Sequence, residues 1–281
     1  MPPSAHQHVL FQRYPLTGQV PLSTGPAPTP YHIYAGYGAF IGGTADLAAV
    51  RALLKPEQVQ ALTTTTGRAL MGIWALDFTE ASLDPHHELQ FSLFVTRQNA
   101  PPLPDQPLAV LEAIFHRPET RMLCHGLWNS TDRVVAYNRE ILGLNARRSR
   151  SQVALAGATL TCEFADAATG RPVLTARLPA ARRPSFRAGL ALARLLGWRG
   201  SQRLAAEPLV AMKVVNPIGL RPGNDAALAC TYNDVSVLRY FDPRADTLTL
   251  ADGTYGALGF QPQFVQHMGG IKFVYLNPSA E

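Results

Sequence analysis

Residues 138–148 read Asn-Arg-Glu-Ile-Leu-Gly-Leu-Asn-Ala-Arg-Arg. An apolar run at 122–128 and a short segment at 133–136 precede this stretch. After it, 152–164 alternates well enough for a strand, 165–172 carries turn residues, and 173–178 returns as the second arm of a hairpin. Further upstream, 31–41 is aromatic and β-prone and is expected to close at Gly42-Gly43. Thr44 and Asp46 can cap a helix that begins at Leu47 and stops before Pro56. Strands are expected at 69–78 and 88–96. In the second, Leu89, Phe91, Leu93 and Val95 alternate with Glu88, Gln90, Ser92 and Phe94. A proline-rich loop at 97–107 leads to a short helix over 108–115. Strands at 209–215, 226–237 and 272–276, with turns at 242–246 and 251–253, complete a strand-rich chain without internal repeats.

The chain has 281 residues, enough for one large domain or two small ones. Hydrophobic residues make up 47% and charged residues 16%, a globular composition on the apolar side. No apolar run is long enough for a transmembrane helix, and the first residues lack the basic start and apolar stretch of a cleaved signal peptide. Residues 1–30 hold seven prolines and read as an extended N-terminal arm, with a single domain over 31–281. Cys124, Cys162 and Cys230 are odd in number, far apart and set in apolar surroundings. They read as reduced, buried thiols of a cytoplasmic protein.

The net charge is +5, but only Lys55, Lys213 and Lys272 are lysines; the other 22 basic residues are arginines. Seven arginines fall in 177–203, an apparent helical insertion. Ser185 can cap a helix over 186–198 that ends in Trp198. Such a helix either packs over the sheet with its arginines in water or rests on a membrane surface or partner through 185–198. Nucleic acid is not expected, because no nucleic-acid motif accompanies the arginines.

The 138–148 stretch resembles the catalytic segment of the acetoacetate decarboxylase family, a Gly-Arg-Glu-x-x-x-(aromatic)-Pro-Lys-Lys run. Arg139 and Glu140 match its Arg-Glu pair, and Gly143 lies where many members have glycine. Asn145 replaces the proline, and Ala146 and Arg147 replace the two lysines. Weaker matches follow in order along 31–277: 45–59, 76–79, 87–88, 212–215, 233–235, 241–243 and 270–276. The resemblance implies an α+β fold, with a closed or near-closed antiparallel β-barrel or cone around a ligand cavity, and a homo-oligomer.

It also implies chemistry that this chain cannot perform in the usual way. In the family, the first lysine forms a Schiff base, which requires a depressed pKa. Ala146 has no functional group, and the guanidinium of Arg147 stays protonated. No shift of register restores an amine. Lys213 alternates with Leu209 and Ala211 in its strand and is the alternative nucleophile. Lys55 sits at a helix end, and Lys272 is expected at the surface.

Glu88 resembles the family's cavity glutamate. His86 would share its face if the strand extends that far; otherwise His86-His87 is a surface turn. Arg139 and Glu140 are catalytic-site candidates expected to support the catalytic loop; Glu88, Arg139 and Arg147 would orient a ligand, with His86 and the Ala146 position beside it. No cofactor is expected. Metal binding is not expected either, because consecutive His86, His87 and Glu88 cannot all face one ion from a strand. The first expectation is therefore a cavity that binds or transforms a small keto acid or apolar metabolite without the lysine. The alternatives are a lyase using Lys213 and a non-enzymatic binding or membrane-associated module.

Overall fold

The computed structural model describes residues 7–180, 185–206, 209–215, 228–251 and 253–277. Its strands are β1 (Gly18–Val20), β2 (Ala27–Thr29), β3 (Tyr31–Ala45), β4 (Gln60–Ala61), β5 (Ala69–Ala81), β6 (His86–Thr96), β7 (Arg121–Asn129), β8 (Ala146–Ala156), β9 (Thr159–Asp166), β10 (Pro172–Pro179), β11 (Leu209–Val215), β12 (Leu228–Tyr240), β13 (Thr247–Leu250) and β14 (Gln261–Tyr275). Its helices are α1 (Val9–Arg13), α2 (Leu47–Leu54), α3 (Ala109–His116), α4 (Asp132–Glu140), α5 (Phe186–Ala206) and α6 (Gly253–Gly256).

Among the described residues, twelve strands form one sheet in the order β13-β10-β9-β8-β7-β11-β12-β14-β3-β5-β6-β4, and β6 pairs with β7 as well. The sheet is mixed, which corrects the expectation that all its strands are antiparallel: β7 runs parallel to both β8 and β11. The reason lies in the connection. Helix α4 carries the chain back after β7, and a crossover of this kind places the next strand parallel. The architecture is α+β, with a large sheet and few helices.

Strand β6 separates two cores. Leu89, Phe91, Leu93 and Val95 enter one of them, while Phe94 enters the other. Its polar face is not solvated: His86, Glu88, Gln90 and Ser92 are all buried. His86 opens the strand inside the protein rather than in a surface turn.

Two glycine-containing stretches behave differently from expectation. Strand β3 runs on through Gly42-Gly43 to Ala45. A Cβ at Gly42 would overlap the Phe264 ring, and one at Gly43 would overlap the Gln261 carbonyl. These glycines permit close packing within a strand rather than a turn. The stretch 152–164, expected as one strand, is a hairpin of β8 and β9. Ala156 pairs with Thr159 across Gly157, which adopts the left-handed φ of 60° that the tight turn needs.

The Asp46 side chain caps α2 by accepting from Ala49 N at 2.8 Å. Residues 7–30 contain α1 and the β1/β2 pair, with Leu10, Phe11 and Ala27 buried. Arg177 belongs to β10, while 181–184 lie outside the described residues. Helix α5 turns Ala188, Ala191, Leu192 and Leu195 toward the core, and Phe186 and Trp198 are exposed. Gly197 kinks it with φ 65° and ψ 177°. Among the described residues, no helix is long and apolar enough to cross a membrane.

Candidate functional site

Glu88 lies in the middle of the protein at 4% exposure. Asn129 Nδ2 donates to its Oε2 at 3.0 Å, and Asn138 Nδ2 donates to Asn129 Oδ1 at 2.9 Å. Burial raises the Glu88 pKa to about 7, because the charged form loses its hydration; the Asn129 hydrogen bond pulls the other way. The carboxyl group can therefore exchange a proton near neutral pH.

A bulge in β7 makes this contact possible. The β6–β7 register shifts between Phe91 and Ser92, so Phe91 faces Gly126 whereas Ser92 faces Cys124, leaving His125 as the extra residue. The shift inverts the alternation of β7, and Asn129 pairs directly with Glu88. Gly126 is required there, since a Cβ would collide with the Tyr255 hydroxyl.

Glu88 and Gln90 line a cavity of about 60 Å³ together with apolar residues of β5, β7, β11, β12 and β14. Tyr275 also lines it, donating its hydroxyl to Gln90 Oε1 at 3.3 Å. Burial pushes the Tyr275 phenol well above its ordinary range, and the nearby Glu88 adds to the shift. His86 shares the Glu88 face but is not among the cavity-lining residues. Its Nδ1 donates to the Asp84 carbonyl at 2.8 Å, which leaves Nε2 to accept from the Tyr31 hydroxyl at 2.6 Å. Burial lowers its pKa to about 4, so it is a neutral anchor for Tyr31.

The 138–148 stretch forms the end of α4 and the start of β8. Gly143, at φ 67°, turns the chain so that Leu144 N donates to the Asn138 carbonyl at 2.7 Å. Arg139 Nε donates to the Ala146 carbonyl at 2.6 Å and holds the start of β8 against α4. Glu140 is exposed and accepts from Ser23 N at 3.0 Å, tying the N-terminal segment to α4. Neither Arg139 nor Glu140 lines the cavity.

Ala146 is fully buried and packs in the same core as Leu127 and Met122. It pairs with Leu127, which pairs with Gln90. These three residues form one row on one face of the sheet, placing Ala146 about 10 Å from Gln90 across two strand spacings. Arg147 cannot join that face, because side chains alternate along β8. It is exposed, with its guanidinium 5.4 Å from the centre of the Trp128 ring, whose side chain belongs to the other core. Arg147 is not among the residues that line the Glu88 cavity.

Lys272 is buried rather than exposed. Its Nζ donates to Asp234 Oδ2 at 2.6 Å and to the Gly270 carbonyl at 3.2 Å, an ion pair between β12 and β14. Lys55 is the C-terminal cap residue of α2. The backbone of Lys213 in β11 pairs with Leu228 of β12, but its side chain lies outside the described residues. Val210 and Met212 of the same strand line the cavity. All three cysteines are free and buried. Among the described residues, no three His, Cys, Asp or Glu side chains gather to hold a metal ion.

Asn129, Tyr275 and Trp74 were not legible as site residues. They lie far apart in sequence and belong to no motif; the sequence signal nearest the site was the polar alternation of β6.

No family model and no curated protein sequence matches the chain. Among solved structures it is similar to acetoacetate decarboxylase from Legionella pneumophila subsp. pneumophila str. Philadelphia 1. That match has 13% identity and a TM-score of 0.57, covering 97% of this chain and 95% of that one. A second acetoacetate decarboxylase structure matches at 12% identity and a TM-score of 0.52, over 90% of this chain and 91% of that one. Across nearly its whole length, therefore, the chain has the acetoacetate-decarboxylase-like fold.

Proposed function

We propose that this protein takes a small keto acid, or a comparable apolar carbonyl compound, into the cavity beside Glu88 and acts on it by non-covalent acid–base chemistry. One observation carries the reading. A buried carboxyl group with a pKa near 7 faces an apolar cavity, and the position that the resemblance assigns to the Schiff-base lysine is alanine on the same face. The run of pairings β6–β7–β11–β12–β14–β3–β5 returns to β6, which supports a barrel-like enclosure of this cavity.

The chemistry needs no amine. As a carboxylate, Glu88 removes a proton from the carbon next to the substrate carbonyl, and the C–H electron pair moves into an enolate. As the resulting neutral acid, Glu88 returns the proton to carbon or oxygen. Both forms of Glu88 are populated at neutral pH.

The test is hydrogen–deuterium exchange of pyruvate or acetoacetate in D2O, followed by NMR. The native protein is expected to accelerate exchange above the buffer rate, and Glu88→Gln to lower it about 100-fold or more. Exchange at the buffer rate, or exchange that persists in Glu88→Gln, overturns the reading. Borohydride should trap no adduct; an adduct mapped to Lys213 would establish the lysine-dependent lyase instead.

A further inference from the structure

We infer that the ligand carries an extended apolar tail: its carbonyl or carboxyl head occupies the chamber beside Glu88, and its tail runs into a second chamber beneath α3 and α5. The inference rests on the reading of the Glu88 cavity as a ligand site.

The two chambers are contiguous. The first measures about 60 Å³ and the second about 300 Å³, and both are bounded by Trp74, Val210, Met212, Thr231 and Met268. The first chamber is the smaller of the two and takes the polar head group. The second chamber supplies the remaining length. Ile114 and Phe115 of α3 and Leu192 of α5 form its outer wall. His116 Nε2 fastens the two helices by donating to the Leu195 carbonyl at 2.7 Å, just before the kink at Gly197.

The wall between the chambers holds a second, independent feature. Trp74 stacks on Phe40 at 4.1 Å, and its buried Nε1 has no hydrogen-bond partner among the described residues. A buried N–H is normally paired. With a shift of the ring that uncovers this N–H, a ligand oxygen lying where the chambers meet accepts from it, while Glu88 serves the head on the far side. A strip of the second chamber is polar, with Asn233, Ser236 and Gln266 along β12 and β14. One polar substituent on the tail is compatible with it.

The test is calorimetric binding of unbranched 2-oxo acids from three to ten carbons. Affinity is expected to rise about fourfold per added methylene until the second chamber is filled. Leu192→Trp should move the plateau to shorter chains, and the milder Leu192→Ala should move it to longer ones. Trp74→Phe should weaken the series about fivefold. A flat series, or a plateau that neither Leu192 variant moves, overturns the inference. If pyruvate exchanges deuterium but the series is flat, only the two-chamber inference fails. If long members bind without exchange, only the acid–base reading fails. If no member binds at millimolar concentration, both fail.

Discussion

At the scale of single residues, the site is governed by what burial does to charge. Glu88 binds its proton more tightly in the folded chain, at about 7 against an ordinary 4.5. Between those values the folded state holds more protons than the unfolded state, so the Glu88 contribution to stability falls as pH rises through that window. His86 has the opposite sign. Its folded pKa of about 4 lies below the ordinary 6.5, and its contribution is lost as pH falls through that range. Glu88→Gln should remove the first limb and leave the second. In urea titrations, its stability relative to the native protein should improve by about 3 kcal/mol between pH 4 and pH 8. Asn129→Ala removes the hydrogen bond that favours the Glu88 carboxylate, so the midpoint of the exchange–pH profile should move upward. Ala146→Lys restores an amine on the cavity face. It should yield a borohydride-trapped adduct with acetoacetate that the native protein lacks.

At the scale of elements, alternation in β6 was readable from sequence, but not the burial of its polar face. Burial depends on β7 and β14 covering that side, and both are remote in sequence. The bulge in β7 was equally invisible: one extra residue reverses which side chains face Glu88, and no residue type marks it. Gly126→Ala should force the Tyr255 hydroxyl aside and destabilise the protein by about 1–3 kcal/mol in thermal or urea unfolding. The Gly42-Gly43 pair could be read as a turn or as close packing, and only the Phe264 ring decides between them. Lys272 shows the same ambiguity: its burial depends on Asp234 across a strand pair.

At the scale of the molecule, a buried ion pair joins the cavity strands to the outlying β8–β9–β10–β13 strands. Arg239 of β12 meets Asp246 through Nη1–Oδ2 at 2.5 Å and Nη2–Oδ1 at 2.6 Å, and Nη2 also donates to the Pro179 carbonyl at 2.8 Å. Asp246→Ala leaves the guanidinium buried without its carboxylate and should cost about 3–5 kcal/mol in denaturant unfolding. The sequence by itself determined much of the local order: the capped helix α2, the β9–β10 hairpin, the alternation of β6 and the absence of a lysine from 138–148. These follow from side-chain period, turn residues and residue identity within a few positions. Only the tertiary structure decided which faces are buried, how β7 brings Asn129 to Glu88, and why Ala146 packs in the core on the Gln90 face while Arg147 faces away. Those outcomes depend on strand register between distant segments, where one residue of shift exchanges the two faces of a strand.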